Sequence, residues 1–510
     1  MEEERIKPTE QTAEQSQSDR GRYRSSFAAT LLFSGVQIYQ IIIRIVKYKF
    51  VAIFIGPAGM GIQSLLHSTT ETISAATNLG LKTSSVKTIS AANRDGDKEF
   101  IAKNITALRR LIWITGLLGM LVCAAFASIW SKTSFGNDEY VWSFVAISVI
   151  ILLDQLNNGE LALLQGMQEK KKLARANIIG QTLNALITIP LFYLFGVKAI
   201  VAAFVIGSII TLTISKYYTY KLDIGKFQMS WKETFSMGSE MVKLGFFLSL
   251  QYLMSTIVIW VIRNYVSSVG GVDEVGLYSA GTTIIGNYIG LVFAAIATDY
   301  YPRLSATKDN GDLQIAVRTQ AELTILLLAP LAVAFVVFCK PVIILLYSSS
   351  FLPIEHMMYW SIGAVLVQAM GWAISYTLLA KAKSSYFFLN ELCSTIWGLP
   401  IKLICYKYWG LTGFGMATLI VYLLYLIQVL IVTKKLFGLS YELSIWKQFF
   451  LLNMPIVATI FVKLFIPEVW GYVVGTVILV ATSITVFNVL NRKMDIVTVF
   501  KLKILKRRTR

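Results

Sequence analysis

Arg44 breaks into the run Ile41-Ile42-Ile43-Arg44-Ile45-Val46, and Lys47 and Tyr48 follow it three and four residues on, on the same helical face. A guanidinium so placed either holds an anion through bidentate, charge-assisted hydrogen bonds or snorkels to a nearby interface. Arg263 and Lys402 interrupt later apolar stretches and carry the same two readings. Glu71 and Asp154 lie near the midpoints of theirs, where snorkelling is hardest, and a carboxyl there suits a proton or cation site. His67 precedes Glu71 by four residues and shares its face. The alternative for all three is a static polar network. Asp299, Pro302 and Arg303 close another stretch, where Pro302 favours breaking or kinking the helix. That segment reads as a hinge or intracellular gate, or as a loop-entry turn with a local ion pair.

These residues stand out because charge is scarce. The chain has 510 residues, of which 55% are apolar and 15% charged, and its mean hydropathy is +0.62. Soluble domains are about 25% charged. The apolar residues fall in blocks of about twenty, the length that a hydrocarbon core of about 30 Å demands. The blocks cover 27–46, 62–85, 110–130, 141–164, 176–195, 198–217, 243–265, 277–299, 320–342, 357–380, 386–406, 411–432, 449–466 and 470–490. They predict an all-α polytopic membrane protein of about 14 transmembrane helices.

Basic residues then fix the orientation. The side facing the N-terminal tail, the even-to-odd connections and the C-terminal tail holds 37 Lys and Arg, the opposite side 9. Cytoplasmic loops retain such residues, so both termini are expected in the cytoplasm. The same rule and attraction to anionic lipid account for Lys170-Lys171-Lys172, for the Lys506-Arg507-Arg508 tail and for the net charge of +18, leaving no call for nucleic acid. Residues 1–26 lack an apolar core and read as a cytosolic tail, not a signal peptide. Cys123, Cys339, Cys393 and Cys405 sit singly in apolar stretches. No metal-ligand cluster, Walker A loop or nucleophile motif appears, so no cofactor is expected and an enzyme or ATP-driven pump lacks support.

The chain also repeats itself. Ser90–Asp97 reads SAANRDGD and Ser305–Asp312 reads SATKDNGD, an offset of 215. Gly61 with Gly276, and Ala162-Leu163-Leu164 with Thr377-Leu378-Leu379, share that offset, and Gly196 pairs with Gly410 at 214. Each repeat holds six windows, an even number, so the copies are parallel, which is the architecture of transporters that alternate two bundles about a central site. The expected divisions are a tail at 1–26, six-helix lobes at 27–219 and 243–433 joined by a linker at 220–242, two further helices at 434–490 and a basic tail at 491–510.

Three segments carry a family resemblance. Asp299-Tyr300-Tyr301-Pro302-Arg303-Leu304-Ser305 resembles the Wzx-type O-antigen translocases, as do Gly56-Pro57-Ala58-Gly59-Met60-Gly61 and Leu163-Leu164-Gln165-Gly166-Met167-Gln168. The resemblance runs over roughly residues 25–490. It implies the polysaccharide branch of the multidrug/oligosaccharidyl-lipid/polysaccharide exporters, a MATE-like fold of two lobes in a V, plus two extra C-terminal helices. It implies a bacterial inner-membrane flippase that moves an undecaprenyl-diphosphate-linked oligosaccharide from the cytoplasmic to the periplasmic leaflet. The implied partners are that lipid-linked substrate, membrane lipids, a proton or sodium ion for coupling, and polysaccharide polymerase and chain-length proteins.

On that reading Arg44, Lys47, Arg263 and Lys402 would serve the diphosphate. Glu71, Asp154 and His67 would serve coupling or the cavity. Asp299, Pro302 and Arg303 would form a gate, and Asn157-Asn158-Gly159-Glu160 would touch sugar or cap helix contacts. A multidrug or cation antiporter of the same fold remains the rival, although it should prefer an anionic cavity. A lipid II or capsule-precursor flippase is a near neighbour. A polymerase or glycosyltransferase would need a long extramembrane loop, and every loop here is short.

Overall fold

The computed structural model describes residues 8–222, 227–307 and 309–494. The ends of both expected tails, with the Lys506-Arg507-Arg508 run, and part of the 220–242 linker lie outside the described residues. Among the described residues every regular element is helical: α1 Pro8–Asn78, α2 Leu81–Asp95, α3 Lys98–Ala125, α4 Ala127–Phe135, α5 Val141–Ile147, α6 Val149–Gly166, α7 Lys170–Phe195 and α8 Ile200–Tyr220. There follow α9 Trp231–Ala306, α10 Asn310–Val337, α11 Cys339–Leu346, α12 Glu355–Gly363, α13 Val365–Ala380, α14 Ser384–Phe437, α15 Leu443–Phe465 and α16 Glu468–Met494.

Among the described residues, eight helical stretches are long and apolar enough to cross a membrane, or nine if the bent pair Ser349–Gly363 and Val365–Ala380 is one span. Lys170–Tyr220 and Ser384–Phe437 each contain two of the expected windows, and Ser249–Ala294 takes in parts of two more. The windows inside them join without a loop, through Gly196, Gly271 and Gly410. Helices and windows therefore do not correspond one to one.

The sequence repeat is written into the backbone. Gly56 (φ 62°, ψ −169°) and Gly271 (φ 84°, ψ 174°) interrupt α1 and α9 at equivalent places. Gly196 (φ 54°, ψ −134°) and Gly410 (φ 56°, ψ −142°) do the same between the last two helices of each repeat. Such dihedrals are essentially closed to residues with a Cβ. Phe126 (φ −101°, ψ 20°) and Phe338 (φ −100°, ψ 21°) separate α3 from α4 and α10 from α11 in the same way.

The repeated acidic motif ends its loop by capping the next helix. Asp97 accepts a hydrogen bond from the Phe100 amide at 2.8 Å, and Asp309 from the Gly311 amide at 3.0 Å. Each cap satisfies a donor that the first turn leaves orphaned.

The chain divides into two compact units, Met1–Phe54 with Leu66–Thr256, and Ile55–Leu65 with Ile257–Arg510. In the N-terminal unit a buried triad ties three helices together. The Thr115 hydroxyl donates to Gln155 Oε1 at 2.8 Å, and Gln155 Nε2 donates to Thr77 Oγ1 at 3.0 Å. Trp113, Leu117 and Leu121 line an exposed apolar stripe on α3 at i, i+4, i+8, as a lipid-facing helix requires.

In the C-terminal unit, α13 is buried along nearly its whole length. There the stretch of α1 after its break lies close against α9. A Cβ on Gly276 would come within 1.9 Å of the Pro57 carbonyl oxygen, and one on Gly61 within 1.9 Å of that of Val272.

Candidate functional site

The N-terminal unit gathers the acidic candidates. His67 and Glu71 share a face of α1, with Nδ1 to Oε2 at 3.4 Å. The Tyr252 hydroxyl of α9 donates to Glu71 Oε1 at 2.9 Å. From α6, Asp154 lies within electrostatic reach of the Ser208 hydroxyl of α8 and of His67. The Phe204 ring stands 5.8 Å from the imidazole. His67 is 48% exposed and Glu71 34%. Two carboxyls, an imidazole and two hydroxyls around one accessible spot can exchange a proton or hold a monovalent cation. Among the described residues no group of three His, Cys, Asp or Glu has the arrangement of a metal site.

The basic candidates divide between the units. Lys47 donates to Asn184 Oδ1 at 2.7 Å, and the Tyr39 and Thr182 hydroxyls pair at 2.7 Å, so this part of α1 packs against α7. Arg44 is exposed, with no hydrogen bond or ion pair among the described residues. In the C-terminal unit, Arg263 Nη1 donates to the Ser64 carbonyl at 3.2 Å, and the side chain is within electrostatic reach of Tyr278. Tyr278 and Lys402 both line a cavity of about 330 Å³ enclosed by α9, α12, α13 and α14.

The remaining candidates are structural in their contacts. Arg303 pairs with Asp299 at 2.9 Å and donates to Gln320 Oε1 at 2.8 Å. Of the break or kink expected at Pro302, the break does not occur: α9 stays helical through it to Ala306. Here the Tyr300 hydroxyl donates to the Ala373 carbonyl at 2.7 Å, and the Arg303 contacts pin the next turn. Lys82 donates to Asn158 Oδ1 at 2.9 Å, and Arg109 pairs with the buried Glu160 at 3.0 Å.

Sequence reasoning missed several members of these sites. Glu391 lies in the same apolar window as Lys402 and meets the same criterion. Its carboxylate accepts from Tyr425 at 2.6 Å. Ser208, Tyr252, Ser361 and Gln368 carry no charge, and hydroxyls and amides are common enough in membrane helices that no pattern singles them out.

Known proteins agree with this architecture. The family model described as "Polysaccharide biosynthesis protein" matches residues 27–308, more than half of the chain. The "Putative O-antigen transporter" of Shigella flexneri is 28% identical over 217 residues, covering 42% of this chain and 48% of that protein. The chain thus spans about half the length of that relative. The "Lipid III flippase" of Escherichia coli (strain K12) is 20% identical over 390 residues, covering 73% of this chain and 90% of that protein. Among solved structures, the lipid II flippase MurJ in an inward closed conformation superposes with a TM-score of 0.69 at 13% identity, over 92% of this chain and 99% of that one. An inward-facing multidrug resistance MATE transporter gives 0.64 at 17% identity, over 82% and 99%. The fold is that of the multidrug/oligosaccharidyl-lipid/polysaccharide exporters, and the chain belongs to the polysaccharide biosynthesis protein family.

Proposed function

We propose that this protein is a flippase for a lipid-linked oligosaccharide, carrying an undecaprenyl-diphosphate-linked O-antigen-like unit from the cytoplasmic to the periplasmic leaflet of a bacterial inner membrane. The observation that carries the reading is the lodging of Arg263 and Lys402 beside hydrogen-bonding aromatic residues inside otherwise apolar helices, in a chain of this family. Cationic groups in hydrocarbon are costly and persist where they serve an anion or a hydrated path. Names of relatives, an O-antigen transporter and a lipid III flippase, support the same substrate class.

In this reading lobes 27–219 and 243–433, joined by the 220–242 linker, provide alternating access, with both termini in the cytoplasm. Arg44 and Arg263 hold the diphosphate with guanidinium forks, Lys47 adds positive charge there, Lys402 meets the substrate in the cavity it lines, and Asp299, Pro302 and Arg303 form the cytoplasmic gate. Glu71, Asp154 and His67 couple the cycle to a proton or sodium gradient, and the flipped unit passes to polymerase and chain-length partners. A transporter of cationic drugs would be expected to present acids, not Arg and Lys, to its substrate.

The test reconstitutes the full chain in vesicles with a fluorescent polyprenyl-diphosphate oligosaccharide and follows its exposure in the opposite leaflet. Arg44→Ala and Arg263→Ala are each expected to slow exposure about 10-fold or more, the scale of one lost charge-assisted hydrogen bond. Wild-type vesicles no faster than protein-free ones would overturn the reading. Indifference to proton and sodium gradients would remove the coupling role from Asp154 and Glu71.

A further inference from the structure

The acidic cluster and the Lys402 cavity occupy the same place in the two repeats. At the sequence offset of 215, His67 corresponds to Thr282 and Glu71 to Gly286. At the offset of 214 that relates Gly196 to Gly410, Phe204 corresponds to Thr418 and Ser208 to Tyr422. All four second-repeat residues line the cavity that holds Lys402. One station of the fold thus carries carboxyls in the N-terminal unit and an ammonium in the C-terminal one.

The cavity is built for hydrogen bonding, yet its polar groups are not satisfied from within. Ser361 is 2% exposed, and its Oγ has no hydrogen-bond partner. Lys402 Nζ and the Gln368 amide likewise have none among the described residues, and neither do the hydroxyls of Tyr278 and Tyr422. Ser361 is thus a buried hydroxyl left unpaired, which is costly, and beside it an ammonium, an amide and two phenol hydroxyls open onto the same space with hydrogen-bonding capacity free for a polar occupant. No carboxylate lines the cavity, so the occupant must supply the negative charge that Lys402 lacks.

We propose that this cavity is a subsite for one anionic sugar residue, its carboxylate on Lys402 and its hydroxyls on Ser361, Gln368, Tyr278 and Tyr422. A volume of about 330 Å³ is far larger than the ~30 Å³ share of a water-sized ion and falls at the small end of ligand sites, room for one ring and not a chain. The rings of Tyr278 and Phe414, tilted 37° to each other with centroids 4.6 Å apart, offer the apolar wall that a pyranose C–H face packs against. A lone, flexible ammonium suits a monovalent carboxylate, whereas a diphosphate calls for the guanidinium forks of arginine. The choice of a sugar over other polyols rests on the reading of the chain as a glycan-lipid flippase.

The experiment measures binding alone, without transport, so it fails or succeeds independently of flippase activity. Full-length protein in lipid nanodiscs is titrated calorimetrically with D-glucuronate, D-glucose and inorganic phosphate. Glucuronate is expected to bind at least 10-fold tighter than glucose. Lys402→Met should remove that preference, and Ser361→Ala should weaken glucuronate binding by a smaller factor. Because Met removes an unpaired ammonium at similar volume, Lys402→Met should melt no lower than wild type, which separates lost binding from lost folding. Equal affinity for glucuronate and glucose, or an unchanged glucuronate affinity in Lys402→Met, overturns the proposal. Phosphate binding as tightly as glucuronate at the same site overturns the sugar assignment and leaves a simple anion site.

Discussion

In the first repeat the helices after Gly56 bring His67, Glu71, Asp154, Phe204 and Ser208 to one place; in the second, the helices after Gly271 bring Thr282, Gly286, Thr418, Tyr422 and Lys402 to its equivalent. The backbones agree down to single dihedral angles at Gly56 and Gly271, and again at Phe126 and Phe338. The side chains at the shared station agree hardly at all. The lesson is that turn chemistry and helix packing were held fixed while the charge of the pocket was free to change sign. Function in such a protein is to be sought where its halves disagree.

The largest effect should come from testing the shared backbone. Gly276→Val and Gly61→Val each drive a side chain into a carbonyl oxygen at 1.9 Å. Both should fall at the upper end of the about 1–3 kcal/mol typical of overpacking, or beyond it. The readout is the yield and melting temperature of detergent-solubilised protein. A wild-type melt for either variant would break the close approach described for α1 and α9.

A smaller and more telling effect is expected at the paired turns. Gly56→Ala and Gly271→Ala should each cost about 1–3 kcal/mol, the range for a residue forced into a glycine-only conformation. Their two losses should match, since both glycines adopt nearly the same φ and ψ. A large loss at one and none at the other would show that the repeats differ in backbone as well as in chemistry.

The smallest effect lies in the short connection between α4 and α5 of the first repeat. The Ser128 hydroxyl donates to Asp138 at 2.8 Å, and the Lys132 ammonium pairs with it at 3.2 Å. These contacts, the Ser128 bond above all, hold the Asp138 carboxyl below the usual carboxylate range. The second repeat replaces this local pair with Lys340 bonded to Glu468 of α16 at 3.2 Å. A depressed carboxyl stabilises the fold above its unfolded pKa of about 3.9 and loses that contribution as pH falls through the lower folded value. Asp138→Asn should therefore narrow slightly the gap in melting temperature between pH 6 and pH 3, and an unchanged gap would remove the contact from the stability of the fold.

Much of this was legible in the sequence. Blocks of about twenty apolar residues mark the helices because a membrane leaves the backbone no other way to satisfy its hydrogen bonds. Gly196 and Gly410 mark turns because few other residues adopt their angles. The breaks after α3 and α10 were not legible, since Phe126 and Phe338 are neither glycine nor proline and only packing places a bend there.

In the site, charge was legible and neutrality was not. Asp154, Glu71 and Lys402 contrast with their apolar neighbours. Ser361 and Gln368 look like any small polar residue until a cavity puts them beside an ammonium. At Pro302 the local signal offered a break or a kink, and the helix runs on unbroken to Ala306, beside the Tyr300 and Arg303 contacts.

The four turn glycines also have a consequence for lineages. Gly56, Gly196, Gly271 and Gly410 set angles that a side chain adopts only under strain, so descent should keep them whatever the substrate. Position 402 is under no such geometric demand. Across relatives it should drift between basic and neutral residues in step with the acidity of the sugar, so that an alignment sorted by surface-glycan chemistry would separate at 402 and stay silent at the turns.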